Sequence, residues 1–345
     1  MKKLILFLIV AVPMTAAIAR QGDNDKPYFS KTFDNESVKT VRAETSGGSL
    51  TVTGTNEKEG RIEVYIKGNN GINKLSNEEI KARLDENYTI DLALENNELR
   101  AIASRRGNIN WKNSLSISFR IYVPSTVSSK LATSGGSIRL SNLKGNQDFK
   151  TSGGSLHLEG LDGMINGRTS GGSIHLSNAK GTIDLKTSGG SIEASDCNGT
   201  LDLATSGGSL RLQQLQGNIK ARTSGGSIKG GNISGELFSH TSGGSINLEQ
   251  LACSLDASTS AGSVYAGFTK PGKSVKVNVS AGSTTLALPK NAGLSLDLSG
   301  RKINTGALNN FNGVMDKDQV KGTLNGGGSE IYVRNSVGSI SIDWN

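Results

Sequence analysis

Two histidines, His157 and His175, stand 18 residues apart. The same interval separates Asp184 from Asp202, and Lys150 from Arg168 and Arg168 from Lys186. Paired imidazoles are half of a metal site, but no third His, Asp or Cys shares their register, where the neighbours are Arg139 and Glu193. The aspartates Asp148, Asp184, Asp202 and Asp256 alternate with Lys150, Arg168, Lys186 and Arg222. Carboxylates that cleave a polysaccharide must be few, placed in a cleft and held in unlike environments. These are spread evenly, so an ion-pair ladder is the better reading, each pair worth little. Cys197 is expected to be a small core filler, and Cys253, in a glycine position, a partly exposed free thiol. About 14 Å would separate them along the stack, too far for a disulfide. The glycine-rich halves lack the Asp of a GGxGxDxUx calcium coil. No phosphate loop or nucleophile elbow appears. No catalytic residue, cofactor or metal site is therefore assigned.

The common interval comes from a repeat. Thr-Ser-Gly-Gly-Ser begins at Thr133, Thr151, Thr169, Thr187, Thr205, Thr223 and Thr241, and TSAGS at Thr259. An isolated copy begins at Thr45. Numbering each copy from its Thr, position 6 is Ile or Leu until Val264, and position 8 is mostly Leu (Leu140, Leu158, Leu176, Leu212). Position 15 includes Ile165, Ile183, Leu201 and Ile219; position 17 includes Phe149, Leu185 and Leu203. Apolar and polar residues alternate, which is strand periodicity. Gly at position 4 reappears at position 13 (Gly145, Gly163, Gly181, Gly199, Gly217, Gly235), dividing each copy into two strand-plus-turn halves. A strict short period of this kind marks a stacked repeat.

The expected fold is all-β: a single-chain β-solenoid, β-helix or β-roll-like, with 18-residue coils. Positions 1, 6, 8, 15 and 17 point inward, position 11 (Leu143, Leu161, Cys197, Leu215, Leu251) fills a corner, and glycines turn the chain. Eight coils give a rod of roughly 40 Å. Residues 20–131 are expected to be a β-rich N-terminal region or cap with one short helix, N-capped by Ser76 with Glu79 closing a capping box. Strands are expected around Tyr88–Leu94, Glu98–Ala103 and Ser114–Val123, ending at Pro124. Coils occupy 132–290, and 291–345 form an irregular C-terminal cap in which Gly326–Val333 and Val337–Trp344 close the apolar end. The 88 residues from Thr45 to Thr133 are not a multiple of 18, so an insertion breaks the register there.

Residues 1–19 have a Lys2-Lys3 start, an apolar Leu4–Val12 run and an Ala17-Ile18-Ala19 cleavage site, the pattern of a signal peptide. Export to the periplasm, cell surface or medium is expected, with no membrane span in the mature chain. The composition agrees: 345 residues with 45 Gly but 5 Pro exclude collagen, and 2 Cys exclude a disulfide scaffold. The formal charge is +8, or +6 once Lys2 and Lys3 are removed. That is mild, and no basic run interleaved with aromatics points to nucleic acid.

The TSGGSI repeats, the Ile121-Tyr122-Val123-Pro124 strand end before them and the C-terminal GGGSEIYVRNSVGSISI together resemble the bacterial putative adhesin family of exported β-strand-repeat proteins, a domain of unknown function. The resemblance covers nearly the whole mature chain and implies an interaction role without catalytic residues. The expected function is a non-enzymatic envelope or surface protein that engages a polysaccharide or protein. A carbohydrate-active β-helix enzyme and a structural envelope protein are the alternatives; an enzyme's Asp/Arg cluster would have to lie in 54–131 or 284–325. The candidate ligand-facing ladder is position 7: Arg139, His157, His175, Arg211, Lys229 and Tyr265, a basic file suited to an acidic polymer.

Overall fold

The computed structural model describes residues 26–34, 37–57, 59–68, 75–107 and 113–345. The expected signal peptide lies outside them. The described chain is all-β, with 27 strands in one hydrogen-bonded sheet and one helix, Asn77–Asn87. Successive copies pair in parallel with an offset of 18. Ile174 lies beside Ile192, Ile192 beside Leu210, and Leu210 beside Ile228. The second half keeps the same register: Ile183 lies beside Leu201, and Leu201 beside Ile219. Every side chain therefore sits over its counterpart. Position 6 is buried in every copy and position 15 from Gln147 to Leu255, and all of these but Gln147 belong to one continuous hydrophobic core.

Four positions of the repeat decide the turns, each for a different reason. At position 13, Gly145, Gly163, Gly181, Gly199, Gly217 and Gly235 have φ between +101° and +136°, a region L side chains rarely enter. At position 4 the conformation is ordinary and the problem is space: a Cβ on Gly172 would lie 2.0 Å from the carbonyl oxygen of Gly154 in the copy before. Position 3 is open: a Cβ on Gly171 would meet nothing closer than 3.7 Å, and Ala261 occupies this position in the last regular copy. Position 10 is a turn not foreseen from the sequence. Asn142, Asn178, Asp196, Gln214, Asn232 and Gln250 all take left-handed φ between +52° and +57° there; its bias toward Asn, Asp and Gly160 was the available signal.

The threonine at position 1 is buried and ties the turns together. Thr169 Oγ1 donates to the Gly154 carbonyl of the copy before at 2.8 Å and accepts from its own copy's Gly172 N–H at 3.2 Å. The same pair of bonds recurs at Thr151, Thr187, Thr205, Thr223 and Thr241. Volumes compensate inside each file. Gly167 interrupts position 17 because the Phe149 ring and Leu185 already fill that space: a Cβ there would come within 2.3 Å of the ring. The polar Gln147 at inward position 15 is satisfied by Ser129, which donates at 2.6 Å, and by the Val127 carbonyl at 2.8 Å.

The Thr45 copy is not isolated. Its strands Thr40–Thr45 and Leu50–Thr55 stack on the next copy, with Thr45 beside Thr133 and Leu50 beside Ile138. The intervening segment loops out and returns to cover the far side of that layer. Glu98–Arg105 pairs with Thr40–Thr45, and Leu115–Pro124 pairs with Leu50–Thr55, both in parallel. Antiparallel strands Tyr88–Glu95, Glu59–Gly68 and Phe29–Asp34 finish the edge. The helix forms as expected, with the Ser76–Glu79 capping box complete and Ile80 buried.

The C-terminal end corrects the sequence reading. Ser329–Asn335 and Ser339–Trp344 do not close the stack. They lie inside it, parallel to Ser274–Ala281 and Thr284–Leu288 on one side and to Leu294–Ser299 and Lys302–Asn304 on the other. The terminal edge is made instead by Gln319–Leu324 and Phe311–Met315, both antiparallel. Two layers that come earlier in the sequence thus enclose the last strands of the chain.

The glycine analysis gives a paired test. Gly172→Ala should destabilise the protein by about 2 kcal/mol or more, because backbone must move in two copies. Gly171→Ala should stay within about 0.5 kcal/mol of the parent. Urea unfolding of both variants measures the difference, and equal stabilities would contradict the close-approach account.

Candidate functional site

The position 7 residues form one exposed file, as their spacing requires. Arg139 pairs with His157, His157 with His175, His175 with Glu193, Glu193 with Arg211, and Arg211 with Lys229; Asn247 then separates Lys229 from Tyr265. Strand pairing holds the His157 and His175 rings face to face, with centroids 5.2 Å apart and planes 6° from parallel. Among the described residues, no group of three His, Cys, Asp or Glu comes together.

The file is less uniformly basic than the sequence reading expected. Glu193 interrupts it, 3.2 Å from His175 Nδ1 and 3.7 Å from Arg211 Nε. Partial burial, then the Arg139 and His175 charges, push the His157 pKa below its ordinary value of 6.5. Neutral His157 therefore contributes a hydrogen-bonding edge at neutral pH rather than a charge. A shallow depression of about 190 Å³ opens between Glu193, Arg211 and Lys229, floored by Ser191, Ser209 and Ser227.

A larger groove, not foreseen, runs along the stack beside the position 1 threonines. It holds about 780 Å³ and crosses five copies, from Thr45 to Ser188. Its walls follow two files: position 18 (Glu44, Ala132, then the cations Lys150, Arg168 and Lys186) on one side, and serines at position 2 (Ser134, Ser152, Ser170, Ser188) on the other. Arg105, from the strand covering the Thr45 layer, closes one end. Asp184 holds Arg168 at 3.2 Å and Lys186 at 2.9 Å. Lys150 and Arg105 have no ion-pair partner among the described residues, and the four serine hydroxyls make no hydrogen bond there. The sequence carried the signal, one serine per copy and one cation in each of three successive copies. What it did not show is that the two rows, on either side of the position 1 threonine, flank one depression.

The aspartate ladder is an ion-pair ladder in part: besides the Asp184 pairs, Arg222 bridges both oxygens of Asp202, the longer contact being 2.8 Å. In the two segments that could hold an enzyme's Asp/Arg cluster, carboxylates are tied to arginines, Glu57 and Glu63 to Arg61 among them. Asp91 and Glu95 lie 2.9 and 3.0 Å from Arg100, and Asp297 lies 2.9 Å from Arg334. Cys197 is buried, and burial pushes its thiol up to about 11. Cys253 is also buried, against the expectation of partial exposure, and burial pushes its thiol up to about 12.

Two solved structures align over most of the chain. One is a putative cell adhesion protein from Clostridium sporogenes ATCC 15579, 13% identical over 93% of this chain and 100% of that one, with a TM-score of 0.18. The other is a putative adhesin from Bacteroides fragilis NCTC 9343, 13% identical over 91% of this chain and 96% of that one, with a TM-score of 0.27. No protein-family model and no curated protein matches. Among the described residues, no helix is long and apolar enough to cross a membrane.

The His157 environment makes a pH prediction. A histidine whose folded pKa lies below its unfolded value binds fewer protons when folded, so its contribution to stability falls as pH drops through about 6.5. In a ¹H–¹⁵N titration His157 should have a midpoint below 6.5, and Arg139→Gln should raise it. A midpoint unmoved by that change would remove Arg139 as a cause. The thiols make another: both cysteines should resist a thiol reagent in the native protein and react on denaturation, and native reaction at Cys253 would contradict its burial.

Proposed function

We propose that this chain is an exported, non-enzymatic interaction protein of the cell envelope or surface. In this reading it is a β-solenoid whose outer side-chain files hold an extended acidic glycan. The 1–19 segment directs export, 20–131 caps the coils of 132–290, and 291–345 stabilises their far end. The single observation that carries the reading is the unbroken register of outward residues. Position 7 runs from Arg139 to Tyr265 with each residue beside its counterpart, so the face repeats at about the 4.8 Å strand spacing. A regular polymer can meet such a face at many points. Arg139, Arg211 and Lys229 supply charge, His157 and His175 supply polar ring edges, and Tyr265 ends the file with an exposed ring suited to a sugar face. The resemblance of the TSGGSI repeats to an exported family named for adhesion supports the same role.

The test is a pull-down on acidic cell-wall polysaccharide with the Arg139→Glu, Arg211→Glu, Lys229→Glu protein. Binding should fall at least tenfold, since three like charges then oppose the ligand. Undiminished binding would remove position 7 as the ligand face. New reducing ends or unsaturated products after prolonged incubation would overturn the non-enzymatic reading.

A further inference from the structure

We propose that the groove between positions 18 and 2 is a second, separate binding site, which takes one strand of a linear polysaccharide bearing a carboxylate on each sugar. The inference rests on the reading of the chain as a glycan-interacting protein, but on different residues.

The argument begins with charge. Lys150, Arg168 and Lys186 occupy one position in three successive copies and line one wall. Like charges stacked at strand spacing repel. The protein relieves this in part by placing Asp184 between Arg168 and Lys186. Lys150 has no such partner among the described residues, and neither has Arg105 at the groove's end. Two cations therefore face the groove without an ion-pair partner, two more are fixed in direction by one shared carboxylate, and the carboxylate of the lining itself, Glu44, is paired with Arg42 at 2.9 Å. The charge pattern also marks where the site stops. In the next copy position 18 is Ala204, and in the one after it Arg222 is held by both oxygens of Asp202.

The facing wall sets the ligand class. Ser134, Ser152, Ser170 and Ser188 are exposed, and their hydroxyls are unengaged among the described residues. Each can donate and accept, which matches the hydroxyls of a sugar ring. The lining has no Phe, Tyr, Trp or His on which bases could stack, and single-stranded nucleic acid is normally held on such platforms. From Lys150 to Lys186 the repeat of one cation and one hydroxyl per copy, at about 4.8 Å, is comparable with the length of one pyranose; in the two copies before it the same position is Glu44 and Ala132, and Arg105 supplies the cation at that end. Five copies give a track of about 20 Å.

The experiment is a calorimetric titration with oligogalacturonates of increasing length. Four proteins are compared: the parent, Arg105→Glu/Lys150→Glu, the position 7 triple variant, and the combination. Circular dichroism and thermal melting check that each is folded, as expected for exposed substitutions. For the groove, affinity should rise with chain length until about five sugars span it, then level off. The Arg105→Glu/Lys150→Glu change should remove one class of sites when position 7 is intact, and weaken the remaining binding at least tenfold when position 7 is already reversed. It should also lower the slope of log K against log salt by about 2. Loss of binding only in the position 7 variant would overturn the groove and leave the proposed function standing. Loss only in the groove variant would support the groove and remove position 7. Parent protein that binds no oligogalacturonate overturns the groove proposal. Single-stranded DNA bound as tightly as the glycan, and lost in the same variant, would overturn its ligand class.

Discussion

The whole assembly depends on one Thr-Ser-Gly-Gly turn resting directly on the next. The position 4 glycine comes so close to its counterpart that no Cβ fits between them. The buried threonine then joins the carbonyl of one turn to the N–H of the next. That relay satisfies buried backbone groups that would otherwise carry the full cost of desolvation. It also fixes the axial register: a slip by one residue would put a side chain into the turn and reverse the inward and outward faces. The side chains of each copy are therefore answerable to those directly above and below.

Files of equivalent residues show what that constraint does. Inside, volume must balance along the axis, so the large Phe149 stands against Gly167, and Leu185 follows. Outside, charge must balance. Asp184 stands between cations, and Glu193 lies between His175 and Arg211. At about 4.8 Å, uncompensated like charges would oppose the hydrogen bonds that hold the copies together. Where compensation is incomplete, as at Lys150 and Arg105, the residues face a groove rather than a flat sheet.

The two ends follow a different logic because neither repeats. At the N-terminal end a long excursion returns to pair with its own starting layer and finishes in antiparallel strands. At the other end the last strands of the chain enter between layers already laid down, and an antiparallel pair takes the edge. In both places the final strands run against the parallel direction of the stack. A further copy of the same kind could not simply add there in register, which suits the need to blunt an open sheet edge.

Local rules were enough to read much of this from the sequence. The strict 18-residue spacing determined the strand periodicity, the inward set, the stacked imidazoles at 5.2 Å and the burial of Cys197. The Ser76 capping box was legible because it needs only residues three apart. Three things were decided only in three dimensions. The Thr45 copy joins the stack across 88 residues, which no period could indicate. Gly326–Trp344 looks terminal in sequence and is interior in space, because edge pairing is chosen by apolar surface and not by chain order. Finally, the serines and cations of the large groove are two unremarkable columns in the repeat. They flank one depression only in the stacked copies, since spacing fixes which residues are neighbours but not the shape of the surface they share.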